Sequence, residues 1–303
     1  MLLNQLLDAV DVLELRGDPR TEVASVTFDS RQVGPGALFC CVPGSRTDGH
    51  DHAPAAVAAG AAALLVERDL DLPVTQVRVP SVRAAMAPVA AAFSGHPSRR
   101  MRVLGVTGTN GKTTTTYLLE AIARAAGLRA GVVGTVETRI DGVVLPGERT
   151  TPESPDLQAL FVRMVEAGVD VAAVEVSSHA LALHRADATW FAAACFTNLS
   201  HDHLDFHEDL EAYFEAKATL FDPARTAAAA VNLDDSHGAR LARRCAERGI
   251  PLVTYGRATP EADVRAEMVS VSGAGNVFSL VTPEGTVTVR SPLTGGFNVA
   301  NAL

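Results

Sequence analysis

The chain has 303 residues, of which 47% are hydrophobic and 20% charged, with a net charge of −9 at pH 7 and an isoelectric point near 5.5. This length and composition predict a globular protein of about two domains, and the acidic balance argues against a nucleic-acid-binding surface. The four cysteines contain no CxxC pair, so neither a disulfide framework nor a structural zinc site is indicated, and reduced thiols in a cytoplasm are expected.

The first hundred residues predict a small α/β domain. Residues 1–17 read as a short amphipathic helix without the basic start of an export signal. Two predicted strands follow, in VASVTFDS and GALFCCV, and then an alanine-rich helix and a strand in AALLVE. The apolar run at 53–66 is too short and too rich in alanine to cross a bilayer, so we expect a soluble protein without membrane insertion.

A linker and a second α/β domain are predicted next. FSGHPSRRM, at 93–101, has no apolar periodicity and predicts the linker, so we place the domains at residues 1–98 and 99–303. Beyond it, predicted strands in RVLGVT, AGVVGT, DVAAVEV, AAACFTN, AAAAVN and PLVTY alternate with helical stretches. This alternation predicts a doubly wound, mostly parallel sheet. Residues 263–291 alternate with period two and predict a small antiparallel appendage.

The stretch GVTGTNGKTTT joins a predicted strand to a predicted helix, with the pattern of a phosphate-binding loop. It lacks the glycine that the usual motif has five places before the glycine of Gly-Lys-Thr, because that place is Val106. Lys112 would contact the β and γ phosphates of a nucleotide, and the Thr113 hydroxyl would contact Mg²⁺. A glycine-rich turn without a ligand is the alternative, but a strand, two glycines, Lys-Thr and a helix in register favour phosphate binding.

Polar residues follow two further predicted strands. Glu175 ends an apolar run, where a buried carboxylate is costly unless it is paired or binds a metal. The segment after AAACFTN is dense in potential metal ligands: His201, Asp202, His203, Asp205 and His207. By itself this segment resembles a hydrolytic metal site. Together with the phosphate loop, one histidine serving a Mg²⁺ is the favoured interpretation.

Several motifs together resemble one known family: GVTGTNGKTTT, TTPESPDLQ, EVSSHAL, FTNLSHDHLDFH, YFEAKATLF and LTGGFNVANAL. They are similar to those of the Mur ligases of peptidoglycan synthesis. The first motif is shared across the superfamily, including folylpolyglutamate synthases. TTPES, FDSRQVGPGALF and DGHDH favour the branch that acts on UDP-N-acetylmuramoyl-alanyl-glutamate. In that family the spacing from Gly108 to Thr114 is the ordinary phosphate-loop spacing.

The resemblance implies a cytoplasmic, ATP-dependent and Mg²⁺-dependent ligase of cell-wall synthesis, expected as a monomer. The γ-phosphate of ATP would pass to a glutamate carboxylate of the UDP-sugar dipeptide, and the amine of diaminopimelate or lysine would attack the resulting acyl phosphate. Catalysis would rest on positioning and charge neutralisation.

The resemblance also implies roles for individual residues. The catalytic residues would be Lys112, His203 and Lys217. ATP would be bound by Gly108, Thr109, Asn110, Gly111, Lys112, Thr113, Thr114, Asn298 and Asn301. The UDP-sugar dipeptide would be bound by Phe28, Ser30, Ser45, Arg46, Thr47, Thr150, Thr151, Ser177 and Arg185. Mg²⁺ would be held by Thr113, Glu175, His203 and Lys217, the last as a carbamate.

Some features leave alternatives open. Ser30 has an alternative role as a turn cap, Arg185 as a surface charge and Lys217 as a solvated side chain. Leu183 stands where some relatives have a substrate-contacting glutamine. The family carries a third, C-terminal domain for the amino acid, so we expect this chain to be either a fragment of a longer ligase or a truncated relative that binds UDP-sugars or nucleotides without ligation. A superfamily ligase acting on folate is disfavoured by the first domain.

Overall fold

A computed structural model describes residues 1–44, 47–147, 149–203 and 205–303. The chain forms two compact units. The first comprises Met1–Arg100, Pro152–Arg163 and Leu183–Thr189, and the second comprises Met101–Thr151, Met164–Ala182 and Trp190–Leu303. Two of the three segments of the first unit therefore come from the part of the sequence assigned to the second predicted domain.

The first unit is built on a five-stranded sheet. Its strands are β1 (Glu14–Arg16), β2 (Ser25–Thr27), β3 (Ala37–Cys40), β4 (Ala63–Val66) and β5 (Thr75–Arg78). Their order across the sheet is β1-β5-β4-β3-β2, and all neighbours are parallel except β1, which runs antiparallel to β5.

Helices α1 (Leu3–Leu6), α2 (Ala53–Ala58) and α3 (Val82–Phe93) belong to the same unit. Successive residues of a strand point to opposite faces of a sheet. In β3, Leu38 and Cys40 accordingly enter one hydrophobic cluster, which includes residues of α3, and Phe39 enters a second cluster, which includes residues of α2. Apolar side chains are needed on both faces, which is why these strands read as continuous apolar runs.

The second unit is built on an eleven-stranded sheet. Its strands are β6 (Arg102–Thr107), β7 (Ala130–Val133), β8 (Thr138–Ile140), β9 (Val143–Leu145), β10 (Val171–Glu175), β11 (Ala193–Phe196), β12 (Ala229–Asn232), β13 (Leu252–Gly256), β14 (Val264–Ser272), β15 (Gly275–Thr282) and β16 (Gly285–Ser291). The order is β16-β15-β14-β13-β12-β11-β6-β10-β7-β8-β9. The strands from β7 to β13 in this order are parallel, whereas β14–β16 and β7–β9 pair in an antiparallel manner.

The remaining helices are α4 (Lys112–Ala125), α5 (Ser154–Glu166), α6 (Ser178–Ala182), α7 (Leu210–Ala218), α8 (Ser236–Glu247) and α9 (Phe297–Ala302). Carboxylates fix the start of two of them, because Asp209 caps α7 and Asp235 caps α8 through backbone N–H groups. Strand β6 lies between β10 and β11, so the carboxyl ends of these three parallel strands are neighbours. In open α/β sheets such an edge is where ligands bind.

The predicted α/β class, the mostly parallel sheet and the antiparallel appendage are confirmed. The predicted helix over residues 1–17 is wrong in its second half, because only α1 is helical and Glu14–Arg16 pairs with the edge of β5. Strand pairing with a distant segment outweighs local propensity there. The sequence reading also missed β5, α3 and the hairpin β8–β9. None of the helices in the described part of the chain has the length and apolarity needed to cross a membrane.

Candidate functional site

The loop between β6 and α4, residues 108–111, has the backbone shape of a phosphate cradle. Gly108 and Gly111 have φ angles of 144° and 92°, which residues with a Cβ rarely adopt. A Cβ at Gly108 would also overlap the hydroxyl of Thr197. The loop leads directly into the N-terminus of α4, where unpaired N–H groups and the helix dipole attract an anion.

Lys112 is the first residue of α4, and its side chain folds back over the loop. Its Nζ donates hydrogen bonds to Gly108 O at 2.9 Å and to Thr109 O at 2.8 Å. Burial lowers the pKa of Lys112, and the carboxylates of Glu175 and Asp202 oppose that change. A phosphate oxygen would be a stronger partner for this ammonium group than neutral carbonyls are.

Glu175, the last residue of β10, is completely buried. Its carboxylate accepts hydrogen bonds from Thr113 Oγ1 at 3.0 Å and from the N–H and hydroxyl of Thr135 at 2.9 and 3.0 Å. All three donors are neutral. A buried carboxylate without a cation in direct contact is costly, so this arrangement favours a cation beside Thr113 and Glu175.

The donors at this position fit Mg²⁺. That ion prefers oxygen ligands and is usually held by one or two carboxylates together with substrate phosphates and waters. Thr113 Oγ1 and Glu175 Oε2 are such oxygens, and they lie next to the phosphate loop. Within the described residues, no group of three or more His, Cys, Asp or Glu side chains is placed to hold a metal ion. The two oxygens beside the phosphate loop fit a metal ion shared with a bound phosphate.

Among the described residues 201–203 and 205–207, the histidine-rich segment does not form the hydrolytic metal site that it resembles by itself. His203 has a φ of 54° and a side chain 45% exposed, and its Nε2 lies 3.6 Å from Asp202 Oδ2. The ring of His203 packs edge-on against His179, with 4.8 Å between centroids. His207 is buried, and its Nε2 lies 3.0 Å from Ser178 Oγ. His203 is thus an exposed member of an aromatic cluster that includes His179 and His207.

Lys217, on α7, is buried and contacts the phosphate loop. It is 1% exposed, and its Nζ donates to Gly108 O at 2.9 Å and lies 4.4 Å from the centre of the Tyr213 ring. Burial, followed by the charge of Lys112, lowers the pKa of Lys217 to about 6. The alternative of a solvated lysine is wrong for this reason. Tyr213 also contacts the loop, since its OH lies 3.2 Å from Thr109 Oγ1.

Lys112 and Lys217 are the only lysines among the 26 basic residues of the sequence; the other 24 are arginines. Both lysines donate to the same carbonyl, Gly108 O. An amine differs from a guanidinium in its compact charge and in its readiness to lose a proton when buried. The occurrence of lysine at just these two positions is a sequence signal that could have identified Lys217 without the resemblance.

Of the two asparagines of α9, Asn301 lies beside the phosphate loop, and Asn298 contacts Asn301. Asn301 Nδ2 donates to Asn298 Oδ1 at 2.9 Å, and Asn298 Nδ2 donates to Thr294 O at 2.8 Å. A Cβ at Gly111 would overlap Asn301 Oδ1. A cavity of about 480 Å³ opens here, within the range of small-molecule sites. Its lining combines predicted ATP residues with others: Asn110, Gly111, Thr114, Thr197, Asn198, Asn232, Tyr255, Phe297, Ala300 and Asn301.

Three predicted substrate residues of the second unit lie around the end of β10. Thr151 is buried, and its hydroxyl donates to Glu175 O at 2.7 Å and accepts from Ser177 N at 3.1 Å. Ser177 Oγ accepts from Ala180 N and so caps α6. Thr150 Oγ1 lies 3.0 Å from Thr135 Oγ1.

The predicted nucleotide residues of the first unit lie near β2 and β3. Phe28 is partly buried against the core cluster that includes Leu38. Ser30 begins a 3₁₀ turn whose cap is Asp29, so the alternative of Ser30 as the turn cap is wrong. Thr47 is exposed, and its carbonyl accepts a hydrogen bond from Gly44 N at 3.0 Å. Ser45 and Arg46 lie outside the described residues.

Arg185 belongs to the first unit and is not the surface charge of the alternative interpretation. Its side chain is 14% exposed, and its Nη2 lies 2.9 Å from Glu153 Oε1. Arg83 Nη1 lies 3.5 Å from Glu153 Oε2. Leu183, in the same segment, is half-buried.

The sequence reading missed residues that hold the candidate site together. Thr135 orients Glu175, and a Cβ at Gly134 would overlap the Glu175 carboxylate. Asn198 holds the phosphate loop, because its Oδ1 accepts from Asn110 N at 3.0 Å and its Nδ2 donates to Asn110 O at 3.1 Å. The available signal was position, since these residues follow the parallel strands β7 and β11.

Family models match almost the whole chain. A model described as the Mur ligase middle domain matches residues 106–303, and one described as the Mur ligase family, catalytic domain, matches residues 22–104.

Individual proteins are also similar. A protein of Streptomyces coelicolor named UDP-N-acetylmuramoyl-L-alanyl-D-glutamate–2,6-diaminopimelate ligase is 46% identical over 94% of this chain and 57% of its own length. A solved structure of a ligase with that name is 30% identical, with a TM-score of 0.86 over 100% of this chain and 62% of the solved chain. The MurF ligase from Thermotoga maritima, solved with ADP, has the same fold, with a TM-score of 0.59 over 93% of this chain and 61% of its own, at 19% identity. This chain thus spans about three-fifths of the length of such proteins.

Proposed function

This chain belongs to the Mur ligase family, and we propose that it acts in the ATP-dependent extension of UDP-N-acetylmuramoyl-L-alanyl-D-glutamate by one amino acid during cytoplasmic peptidoglycan synthesis. The observation that carries the proposal is the phosphate loop with Lys112 folded over it, next to a Thr113 hydroxyl bonded to the buried Glu175. The name of the Streptomyces relative supports diaminopimelate as the amino acid, with lysine as the alternative.

The proposed reaction has two steps. A D-glutamate carboxylate oxygen attacks the γ-phosphorus of ATP, and ADP leaves, which gives an acyl phosphate. The amine of the incoming amino acid then attacks the acyl carbon, loses a proton and expels inorganic phosphate, which leaves an amide. Little covalent chemistry falls to the protein, so positioning and neutralisation of phosphate charge carry the rate.

The residues of the phosphate loop have distinct proposed roles. Lys112 and the N–H groups of residues 111–114, at the start of α4, hold the β and γ phosphates, while the N–H groups of Thr109 and Asn110 donate to Asn198 and fix the loop. Asn298 and Asn301 are the further proposed ATP residues: Asn301 lines the neighbouring cavity, and Asn298 accepts a hydrogen bond from the Asn301 side chain. The MurF ligase from Thermotoga maritima, which shares the fold, was solved with ADP, and this supports a nucleotide as the ligand.

Thr113 and Glu175 are the proposed ligands of a first Mg²⁺, and His203 and Lys217 of a second. Both ions would neutralise the negative charge that develops on the transferred phosphoryl group. Lys217 would serve this purpose as a carbamate, which forms when its neutral amine adds dissolved CO₂ and releases a proton; a buried cation thereby becomes an anionic oxygen ligand. The burial of Lys217 and the rarity of lysine in the sequence support a role that needs an amine.

We propose domain limits of 1–98 and 99–303, with the chain as a monomer. The proposed substrate is the UDP-sugar dipeptide. Phe28, Ser30 and the loop of Ser45, Arg46 and Thr47 would hold the nucleotide part. Thr150, Thr151, Ser177 and Arg185 would hold the sugar and peptide.

Calorimetric titration tests this proposal. UDP-N-acetylmuramoyl-L-alanyl-D-glutamate should bind the chain, whereas a folate with one glutamate, the substrate type of the alternative superfamily ligases, should not. Binding of the folate without the UDP-sugar dipeptide would overturn the assignment.

A further inference from the structure

Three charged side chains that are distant in the sequence meet within the first unit. Glu153 is 4% exposed, and its two carboxylate oxygens face two arginines. Oε1 lies 2.9 Å from Arg185 Nη2, and Oε2 lies 3.5 Å from Arg83 Nη1. Two guanidinium groups therefore converge on one buried carboxylate.

Arg83 does not stabilise the helix in which it lies, so helix stability does not explain an arginine at this position. It is the second residue of α3, where the helix dipole disfavours a cation. Its Nη1 is buried, and among the described residues it makes no hydrogen bond, because the contact with Glu153 is too long for one. A buried donor without an acceptor costs free energy, and an acceptor supplied by a ligand would remove that cost.

Glu153 limits the freedom of Arg185. A charge-assisted hydrogen bond of 2.9 Å to a buried carboxylate holds the guanidinium in one orientation. An arginine held in this way loses less conformational freedom when it binds an anion, which raises affinity.

We propose that Glu153 is a positioning residue for Arg185, and that Arg83 and Arg185 together contact a carboxylate in the peptide part of the substrate; this rests on the proposed function. D-glutamate in the dipeptide carries two carboxylates, and only one becomes the amide. The other stays anionic throughout the reaction and matches the planar fork of an arginine.

Calorimetry with three ligands tests this inference. The ligands are UDP, UDP-N-acetylmuramoyl-L-alanine and UDP-N-acetylmuramoyl-L-alanyl-D-glutamate, and the wild-type chain should bind the last most tightly. Glu153→Gln keeps the side-chain shape, and it should weaken binding of the glutamyl ligand by about 10- to 100-fold while leaving the other two unchanged. Arg83→Gln should do the same, and Arg83→Lys should restore part of the loss.

Glu14→Gln is the matched control, since Glu14 pairs with Arg78 in the same unit on an exposed edge. It should change none of the three affinities. If Glu153→Gln or Arg83→Gln kept the wild-type preference for the glutamyl ligand, the inference would be overturned. An equal loss for UDP would also overturn it, because the arginines would then serve the diphosphate.

Two further outcomes are informative. If Glu153→Gln does not fold, the binding of the glutamyl ligand by Arg83→Gln and Arg83→Lys tests the inference. These variants should fold, because the Arg83 side chain is 22% exposed and lies at a helix end. A wild-type chain that binds none of the UDP-sugars would overturn the proposed function and this inference together. Binding by wild type with an unchanged preference in the variants would overturn this inference alone.

Discussion

Lys112 is the residue whose charge most directly meets a phosphate. Its ammonium group is buried against the carbonyls of Gly108 and Thr109. We expect Lys112→Ala to weaken binding of Mg-ATP by about 10- to 100-fold, since hydrogen bonds to charged groups are each worth roughly 1.5–3 kcal/mol. Calorimetric titration with a non-hydrolysable ATP analogue measures this.

Arg124→Ala is the matched control for Lys112→Ala. Arg124 lies at the other end of α4, is 44% exposed and pairs with Glu120. Its loss should leave nucleotide affinity unchanged. Equal affinities for wild type and Lys112→Ala would place the nucleotide elsewhere.

The prediction for Lys217 concerns the proposed carbamate on its amine and not its positive charge. If its carbamate holds a metal ion, Lys217→Ala should abolish ligase activity, and small carboxylates such as acetate should restore part of it by occupying the vacated position. Lys217→Arg keeps a cation and should not be restored. The measurement is ADP release in a ligase assay on a chain as long as the relatives, with and without added carboxylate. Activity of Lys217→Arg near that of wild type would exclude the carbamate.

At the scale of elements, the turn from β6 into α4 decides whether the site exists. Gly108 has a positive φ, and a Cβ there would overlap Thr197 Oγ1. We expect Gly108→Ala to displace the loop, weaken Mg-ATP binding by at least about 10-fold and lower the free energy of unfolding by about 1–3 kcal/mol. Calorimetry and urea unfolding measure the two effects.

Gly127→Ala separates backbone strain from the clash. Gly127 follows α4 with a φ of 77°, and no atom lies within 4 Å of the position of its Cβ. It should cost stability without changing nucleotide affinity. If Gly108→Ala and Gly127→Ala lost nucleotide affinity to the same extent, backbone strain, and not the clash with Thr197, would explain the loss.

The strands and helices around the phosphate loop could be predicted because local patterns determine them. The middle of β6 and the first four residues of β10 are continuous apolar runs, and α4 follows a glycine-rich turn. The pairing of β1 with β5 and the contact of Thr135 with Glu175 could not be predicted, since both join residues far apart in sequence. The same holds for the meeting of Arg83 with Glu153, which depends on how the first unit gathers its three segments.

At the scale of the whole molecule, the pH dependence of the free energy of unfolding tests how the first unit is stabilised. Burial raises the pKa of Asp48, but hydrogen bonds from the His50 N–H, Arg68 and His50 Nδ1 outweigh it and hold this pKa well below its usual range. A carboxyl group with a lowered folded-state pKa stabilises the fold above its unfolded pKa, about 3.9, and this contribution is lost as the pH falls through the folded value.

Asp48→Asn should therefore lower the free energy of unfolding at pH 7 by about 1–3 kcal/mol. The difference from wild type should shrink as the pH falls below about 4. Urea unfolding at several pH values measures it, with Asp51→Asn as the control, because Asp51 is 72% exposed and 3.6 Å from Arg68. A difference that stays constant down to acid pH would contradict this role for the Asp48 charge.

A crystal structure of the chain with Mn²⁺, a non-hydrolysable ATP analogue and UDP-N-acetylmuramoyl-L-alanyl-D-glutamate tests the proposed site most directly. Anomalous scattering locates Mn²⁺, which has ligand preferences close to those of Mg²⁺. We expect an anomalous peak within about 2.5 Å of Thr113 Oγ1 and a Glu175 oxygen, with the γ-phosphate on Lys112 Nζ. A metal and nucleotide bound away from these three side chains would contradict the proposed site.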